Sequence, residues 1–109
     1  MSAEFAGTLT QRVELQRLVS VRTAAGLSRR VWETFASCVA SVTPDGTGSE
    51  AEGMTLSALA RYRVVIRARK DLRIEQRLRW RERHFLVKQI IEDPRLPDRI
   101  QLRCEEVRA

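Results

Sequence analysis

Arginine recurs at alternate positions in two stretches of this 109-residue chain, Arg61-Tyr62-Arg63-Val64-Val65-Ile66-Arg67-Ala68-Arg69 and Arg77-Leu78-Arg79-Trp80-Arg81. Successive side chains of a strand point to opposite faces, so Arg61, Arg63, Arg67 and Arg69 share one face with Val65, and Arg77, Arg79 and Arg81 extend it. A guanidinium stays charged when partly desolvated and grips a carboxylate or phosphate through two parallel hydrogen bonds. The chemistry on offer is therefore anion recognition. Matching carboxylates stand near the end of the chain at Glu92, Asp93, Asp98, Glu105 and Glu106. Two unlike patches of this kind suit contact with other protein surfaces. The same arginine face also reads as a solvated surface that keeps a small β protein soluble and guards its edges, or as a surface for DNA.

Covalent and acid–base chemistry find no such support. His84 is the one histidine, no glycine-rich phosphate loop occurs, and the acidic residues are scattered among arginines. A nucleophile beside a base, or a carboxylate pair in a pocket, is not legible. Cys38 and Cys104 each lie in an apolar alternating segment and read as small buried hydrophobes, and without a Cys-x-x-Cys or His/Cys cluster they do not surround a zinc ion. The sequence predicts no enzyme, no metal and no cofactor.

The elements that must hold the arginines are short strands. Val13, Leu15, Val19 and Val21 recur at period two, with Arg17 interrupting the apolar face. Thr23 to Ser28 supplies a small-residue turn, and Val31 to Val42 reads as a long second strand or a bent pair. Pro44-Asp45-Gly46-Thr47-Gly48-Ser49 is a turn cluster predicted to break that strand, and residues 44–58 are read as a long loop of the kind that is functional or mobile. Tyr62, Val64, Ile66 and Ala68 face inward in the third strand and Leu78 and Trp80 in the fourth. Glu82-Arg83-His84 forms a tight hairpin before a fifth strand, Phe85 to Ile91, and the third to fifth strands are expected to form a meander. Asp93-Pro94-Arg95-Leu96-Pro97-Asp98 is a further turn, because prolines do not sit in central strands. Ile100, Leu102 and Cys104 then alternate in a last strand. The prediction is an all-β domain spanning 1–109: a small antiparallel barrel or sandwich of about six strands with a long loop after the second. Residues 1–10 are expected to form a flexible arm. Trp32, Phe35, Trp80 and Phe85 read as core or interface anchors rather than base-stacking platforms.

Composition agrees with a folded globular protein. Apolar residues make up 43% and charged residues 31% of the chain, too hydrophobic for a disordered polymer. No apolar run approaches the roughly 18 residues that span a bilayer, and the start has no basic segment followed by an apolar one, so a cytoplasmic protein is expected unless a larger particle carries it out. The net charge of +6 is uneven. Between Arg61 and Lys88 there are eleven basic and three acidic residues, so the middle of the chain holds all the excess.

Taken in order, several pieces resemble the phage head-tail joining (head-closure) family of long-tailed phages and related gene transfer agents. They are Ala6-Gly7-Thr8-Leu9, Arg12-Val13-Glu14-Leu15-Gln16-Arg17, Trp32, Ala40-Ser41-Val42-Thr43-Pro44, Gly48-Ser49-Glu50, Tyr62-Arg63-Val64-Val65-Ile66-Arg67, Arg77-Leu78-Arg79-Trp80, Phe85 to Ile91 and Leu102-Arg103-Cys104-Glu105. The resemblance covers nearly the whole chain. It implies a β-barrel subunit of a homo-oligomeric ring that docks below a portal or adaptor protein, presents a surface to tail-terminator or tail-tube proteins, and surrounds passing double-stranded DNA. In members that act as stoppers, the loop after the second strand reaches the channel and retains packaged DNA. Here that implies Pro44, Asp45, Gly46, Thr47, Gly48, Ser49, Glu50, Ala51, Glu52, Gly53 and Met54. Assembly would take place in the bacterial cytoplasm, with the chain ending at the head-tail junction of a virion. Glu82 departs from the glycine that relatives often carry in the hairpin, which puts the turn type in question. The competing readings are a small basic barrel that binds nucleic acid, and a neighbouring adaptor or tail-completion subunit of the same particle.

Overall fold

The computed structural model describes residues 3–47 and 60–107. A short helix α1 (Ala3–Thr8) precedes six strands, β1 (Gln11–Arg22), β2 (Ser28–Thr47), β3 (Ala60–Arg67), β4 (Arg77–Trp80), β5 (Arg83–Ile91) and β6 (Arg99–Val107). The strands close into an antiparallel barrel in the order β1-β2-β3-β6-β5-β4. The all-β expectation therefore holds, and period-two burial is its cause. Val13 and Leu15 of β1, Val64 and Ile66 of β3, Leu78 of β4, Phe85 and Val87 of β5, and Ile100, Leu102 and Cys104 of β6 all point inward and are almost fully buried. Both cysteines are free thiols, and burial pushes Cys104 up to about 12, so it stays protonated and inert.

The path of the chain differs from the expected meander. β3 pairs with β6 from Arg61↔Glu105 to Arg67↔Arg99, while β4 pairs with β5 on one side and with β1 on the other. The connection after Arg67 leaves the sheet early: Ala68 is exposed rather than inward, and its N–H donates to the Asp98 carbonyl at 3.0 Å. Farther along, Leu72, in the connection between β3 and β4, turns back into the core.

β2 also runs farther than expected. The Pro44-Asp45-Gly46-Thr47 cluster does not break it, and β3 remains paired as far as Thr47↔Ala60. β1 accompanies β2 only to Ala40, so β2 has a free side there and proline is tolerated as on any edge. A register shift between Pro44 and Thr47 absorbs the extra residue, helped by Gly46 at φ 86°. The rest of the expected long loop, residues 48–58, which includes the channel candidates Gly48, Ser49, Glu50, Ala51, Glu52, Gly53 and Met54, lies outside the described residues.

Two further expectations change at the start of the chain. Instead of an arm, residues 3–8 form a helix whose Phe5 is 4% exposed, set between the guanidinium of Arg99 at 3.9 Å and that of Arg67 at 5.8 Å from the ring centroid. Val19 and Val21 do not join Val13 and Leu15 in the core, because β4 accompanies β1 only as far as Gln16↔Arg77. From Arg17 to Glu33 the two strands pair with each other alone and project beyond the barrel.

The β4–β5 hairpin answers the question of turn type. Trp80↔Arg83 is its closing pair, and the two residues between them, Arg81 at φ 52° and Glu82 at φ 64°, are both left-handed. This is the primed turn whose twist matches the flanking strands, made without the asparagine and glycine that such a turn favours. Left-handed backbone at residues bearing a Cβ costs roughly 1–2 kcal/mol each. Replacing the pair by Arg81→Asn with Glu82→Gly is accordingly expected to stabilise the domain by about 1 kcal/mol in urea unfolding. A fall in stability would mean that the turn holds its shape for the sake of the Arg81 and Glu82 side chains.

Candidate functional site

The barrel has two ends, and the register assigns a set of residues to each. One end gathers the start of β1, the end of β2, the start of β3, the end of β4, the start of β5 and the end of β6. Inside it Tyr62, Trp80 and Phe85 meet edge to face or tilted, with ring centroids 5.1–6.2 Å apart. Arg83 lies against all three rings. Its guanidinium donates to both carboxylate oxygens of Glu106 at 3.0 Å and to the Tyr62 hydroxyl at 3.2 Å. Those bonds raise its pKa further, fixing a permanent charge in an aromatic plug. Trp80 completes the set by donating its Nε1 hydrogen to Gln11 Oε1 at 3.1 Å.

At the same end stands the root of the segment 48–59. Thr47 and Ala60 are paired, so that segment leaves and returns at one place on the rim. Asp45 is the anchor of the root: its two carboxylate oxygens reach Arg63 of β3 at 3.7 Å and Arg103 of β6 at 3.4 Å. Arg63 and Arg103 are directly cross-strand, where two cations repel, and the half-buried carboxylate of Asp45 neutralises them. Beside it Arg61 pairs with Glu105 at 3.3 Å, and a groove of about 450 Å³ runs past Asp45, Arg61, Lys88 and Arg103.

Of the arginine stripe and the carboxylates, which the sequence separates, the fold brings Arg61 to Glu105, while most of the others engage residues outside both sets. Arg61 meets Glu105, and Arg69 meets Asp71 through two bonds of 2.7 and 2.8 Å. Arg67 lies on Phe5, Asp98 pairs with Arg99, Asp93 with Arg95, and Glu106 with Arg83. Glu92 is exposed just beyond β5. The fourth-strand arginines work across the seam with β1. Arg79 reaches Glu14 at 3.2 Å and Glu82 at 2.8 Å, and Arg77 donates to Gln16 at 2.7 Å while lying 4.6 Å from the centroid of Trp32. Burial lowers the pKa of Arg77, without taking a guanidinium anywhere near neutrality. Gln16 donates in turn to Thr34, and Thr34 to Glu14, which ties β4, β1 and β2 into one chain of bonds. Arg81 sits in the turn, over the ring of Trp80.

Two participants escape a reading of the sequence. Arg83 falls in what reads as a hairpin, although its position beside alternating Phe85 and Val87 would have placed it in a strand. Arg103 lies in a recognised strand, but its partner Asp45 comes from a segment read as loop. His84 is half-buried, and burial with Arg77 and Arg79 nearby lowers its pKa, so it is neutral at pH 7.

The sequence model of a family described as phage head completion protein matches residues 6–107. The fold resembles the solution structure of protein SF1141 from Shigella flexneri 2a, with a TM-score of 0.71 and 24% identity over 92% of this chain and 94% of that one. It also resembles a chain in the virion of a native gene transfer agent particle, with a TM-score of 0.69 and 26% identity over 93% of this chain and 97% of that one. No curated protein sequence matches the chain significantly.

The plug makes a specific claim about Arg83. Lysine keeps the charge but lacks the fork that meets Glu106 twice and Tyr62 once. Arg83→Lys is expected to lower stability by about 1–2 kcal/mol at unchanged m-value, a modest figure because the group is partly screened by solvent. Arg81→Lys, which loses only a contact over Trp80, should change it by less than about 0.5 kcal/mol. Equal effects of the two substitutions would refute the assignment.

Proposed function

The chain belongs to the phage head completion protein family, and from that premise we propose that it is the head-closure, or stopper, subunit of a head-tail connector. Membership makes it a structural protein of a phage-type particle. The finer reading places it in a homo-oligomeric ring that docks below a portal or adaptor protein, receives tail proteins on its other side, and lets double-stranded DNA through its centre.

The observation that carries this reading is the root of residues 48–59. Thr47 and Ala60 are paired, and Asp45 fastens β2 to both β3 and β6 at that place. A twelve-residue excursion from a fixed root reaches outward at most about 20 Å, at 3.3–3.6 Å per residue out and back. In a ring, one such excursion from every subunit can meet at a central opening. The surface around the root is a mosaic of paired arginines and carboxylates, which suits contact with like subunits better than unopposed positive charge would.

Shortening the excursion tests the stopper role. Removing residues 48–53 is expected to leave the melting temperature of the isolated protein within about 2 °C, since loop length contributes little to stability. Filled heads assembled with the shortened chain should lose their DNA, seen as a shift from full to empty particles in a density gradient. Heads that keep their genome with the variant incorporated would sink the channel-closing role while leaving family membership untouched.

A further inference from the structure

The end of the barrel opposite the root carries the projecting β1–β2 hairpin, whose side chains are not accounted for by the channel. β1 beyond Gln16 and β2 before Thr34 pair only with each other. The arm from Arg17 to Arg22 is about 20 Å long at strand rise. It contributes to a molecule 52 Å in its longest dimension, with a radius of gyration of 15.8 Å, where a compact domain of this length has about 13 Å. At its tip Gly26, at φ 82°, closes the turn, and the Leu27 N–H donates to Thr23 Oγ1 at 3.2 Å.

A two-stranded hairpin is marginal in water unless something packs on it. The arm is supported at its base, where Arg77 covers Trp32 and Arg17 pairs with Glu33 at 3.3 Å. Beyond that base Leu18, Val21 and Leu27 are exposed at 37%, 44% and 68%. Between Leu18 and Trp32 the sequence has Arg22, Arg29 and Arg30 and no acidic residue. All three arginines are exposed, and none has an ionic partner among the described residues. This contrasts with the barrel surface, where arginine after arginine is matched to a carboxylate of its own chain.

We propose that the β1–β2 arm inserts into an apolar groove rimmed with carboxylates on a different protein of the particle. Charge argues against a second copy of this chain, which itself carries +6 and has already engaged Asp71, Asp98, Glu105 and Glu106 with its own arginines. The exposed Leu18, Val21 and Leu27 argue against DNA, whose backbone offers arginine a partner but gives these side chains nothing apolar to pack on. An acidic rim with an apolar floor satisfies both kinds of side chain, and the roughly 20–30 residues a side of a standard interface can be drawn largely from this arm. The inference rests on membership of a phage-type particle and goes beyond the channel-closing role, since the arm lies at the other end of β2 from the root.

The test uses cells producing the particle, with a photoreactive benzophenone amino acid in place of Leu27 in the full chain. Illumination of purified particles should link this position to one other particle protein, at a peptide rich in Asp and Glu. Arg29→Glu with Arg30→Glu should abolish the link and cut incorporation at least tenfold, while circular dichroism and melting of the isolated protein stay unchanged. Arg29→Lys with Arg30→Lys should retain most of both. A link to a second copy or to DNA, no link in particles that hold the chain, or normal incorporation of the double Glu variant would each overturn the arm. Absence of the wild-type chain from purified particles would instead overturn the particle role itself.

Discussion

Closure of the barrel depends on the seam between β1 and β4, which consists of three residue pairs, Glu14↔Arg79, Leu15↔Leu78 and Gln16↔Arg77. An open sheet of six strands would leave two rows of unpaired N–H and C=O groups, an invitation to pair with other chains. So short a ladder is reinforced by its side chains. On the inner face Leu15 and Leu78 are almost fully buried against each other's neighbours. On the outer face Arg79 meets Glu14, Arg77 meets Gln16, and Gln16 continues through Thr34 back to Glu14. The outward arginines of β4 are therefore parts of the closure. Their planar forks reach across two strands at once, which the single ammonium of lysine does not do.

The same seam decides where the molecule presents its projections. Because β4 is short, β1 is released beyond Gln16 and carries β2 with it into the arm. Because β1 starts at Gln11↔Ala40, the last seven residues of β2 are free of it and pass to β3 and the root at Thr47. One strand of twenty residues thus carries the arm at its start and the root at its end.

The strands were legible because alternation is a local property. Val64, Ile66, Leu78, Phe85, Val87, Ile100 and Leu102 occupy the faces that period two assigns them, and one burial rule accounts for all of them. Strand order was not legible, because β3 beside β6 is a contact between residues about forty apart and leaves no mark in either strand. Pro44 and Gly46 misled for a related reason: their usual meaning as breakers assumes a strand with neighbours on both sides, and β2 has one there. Phe5 was hidden in a short polar N-terminal stretch, its partners Arg67 and Arg99 lying on distant strands. At the candidate site the residue types were visible and their pairing was not. Arg61 and Glu105 were both recognised as charged interface candidates, yet that they neutralise each other follows only from the register.

That pairing bears on what a strongly basic chain does near DNA. Phosphate affinity arises from cations that displace condensed counterions, and a guanidinium already bridged to a carboxylate has less to offer. Arg61, Arg63, Arg69, Arg79, Arg83, Arg95, Arg99 and Arg103 all have an acidic partner within 4 Å on the same chain. The twenty basic residues of the chain therefore overstate the number of cations free to meet phosphate. Arg22, Arg29 and Arg30 of the projecting arm, away from the rim where residues 48–59 arise, have no acidic partner among the described residues. On the barrel, counterion release is accordingly limited by these internal pairs, whereas the arm's arginines are free to meet an anionic group of another molecule.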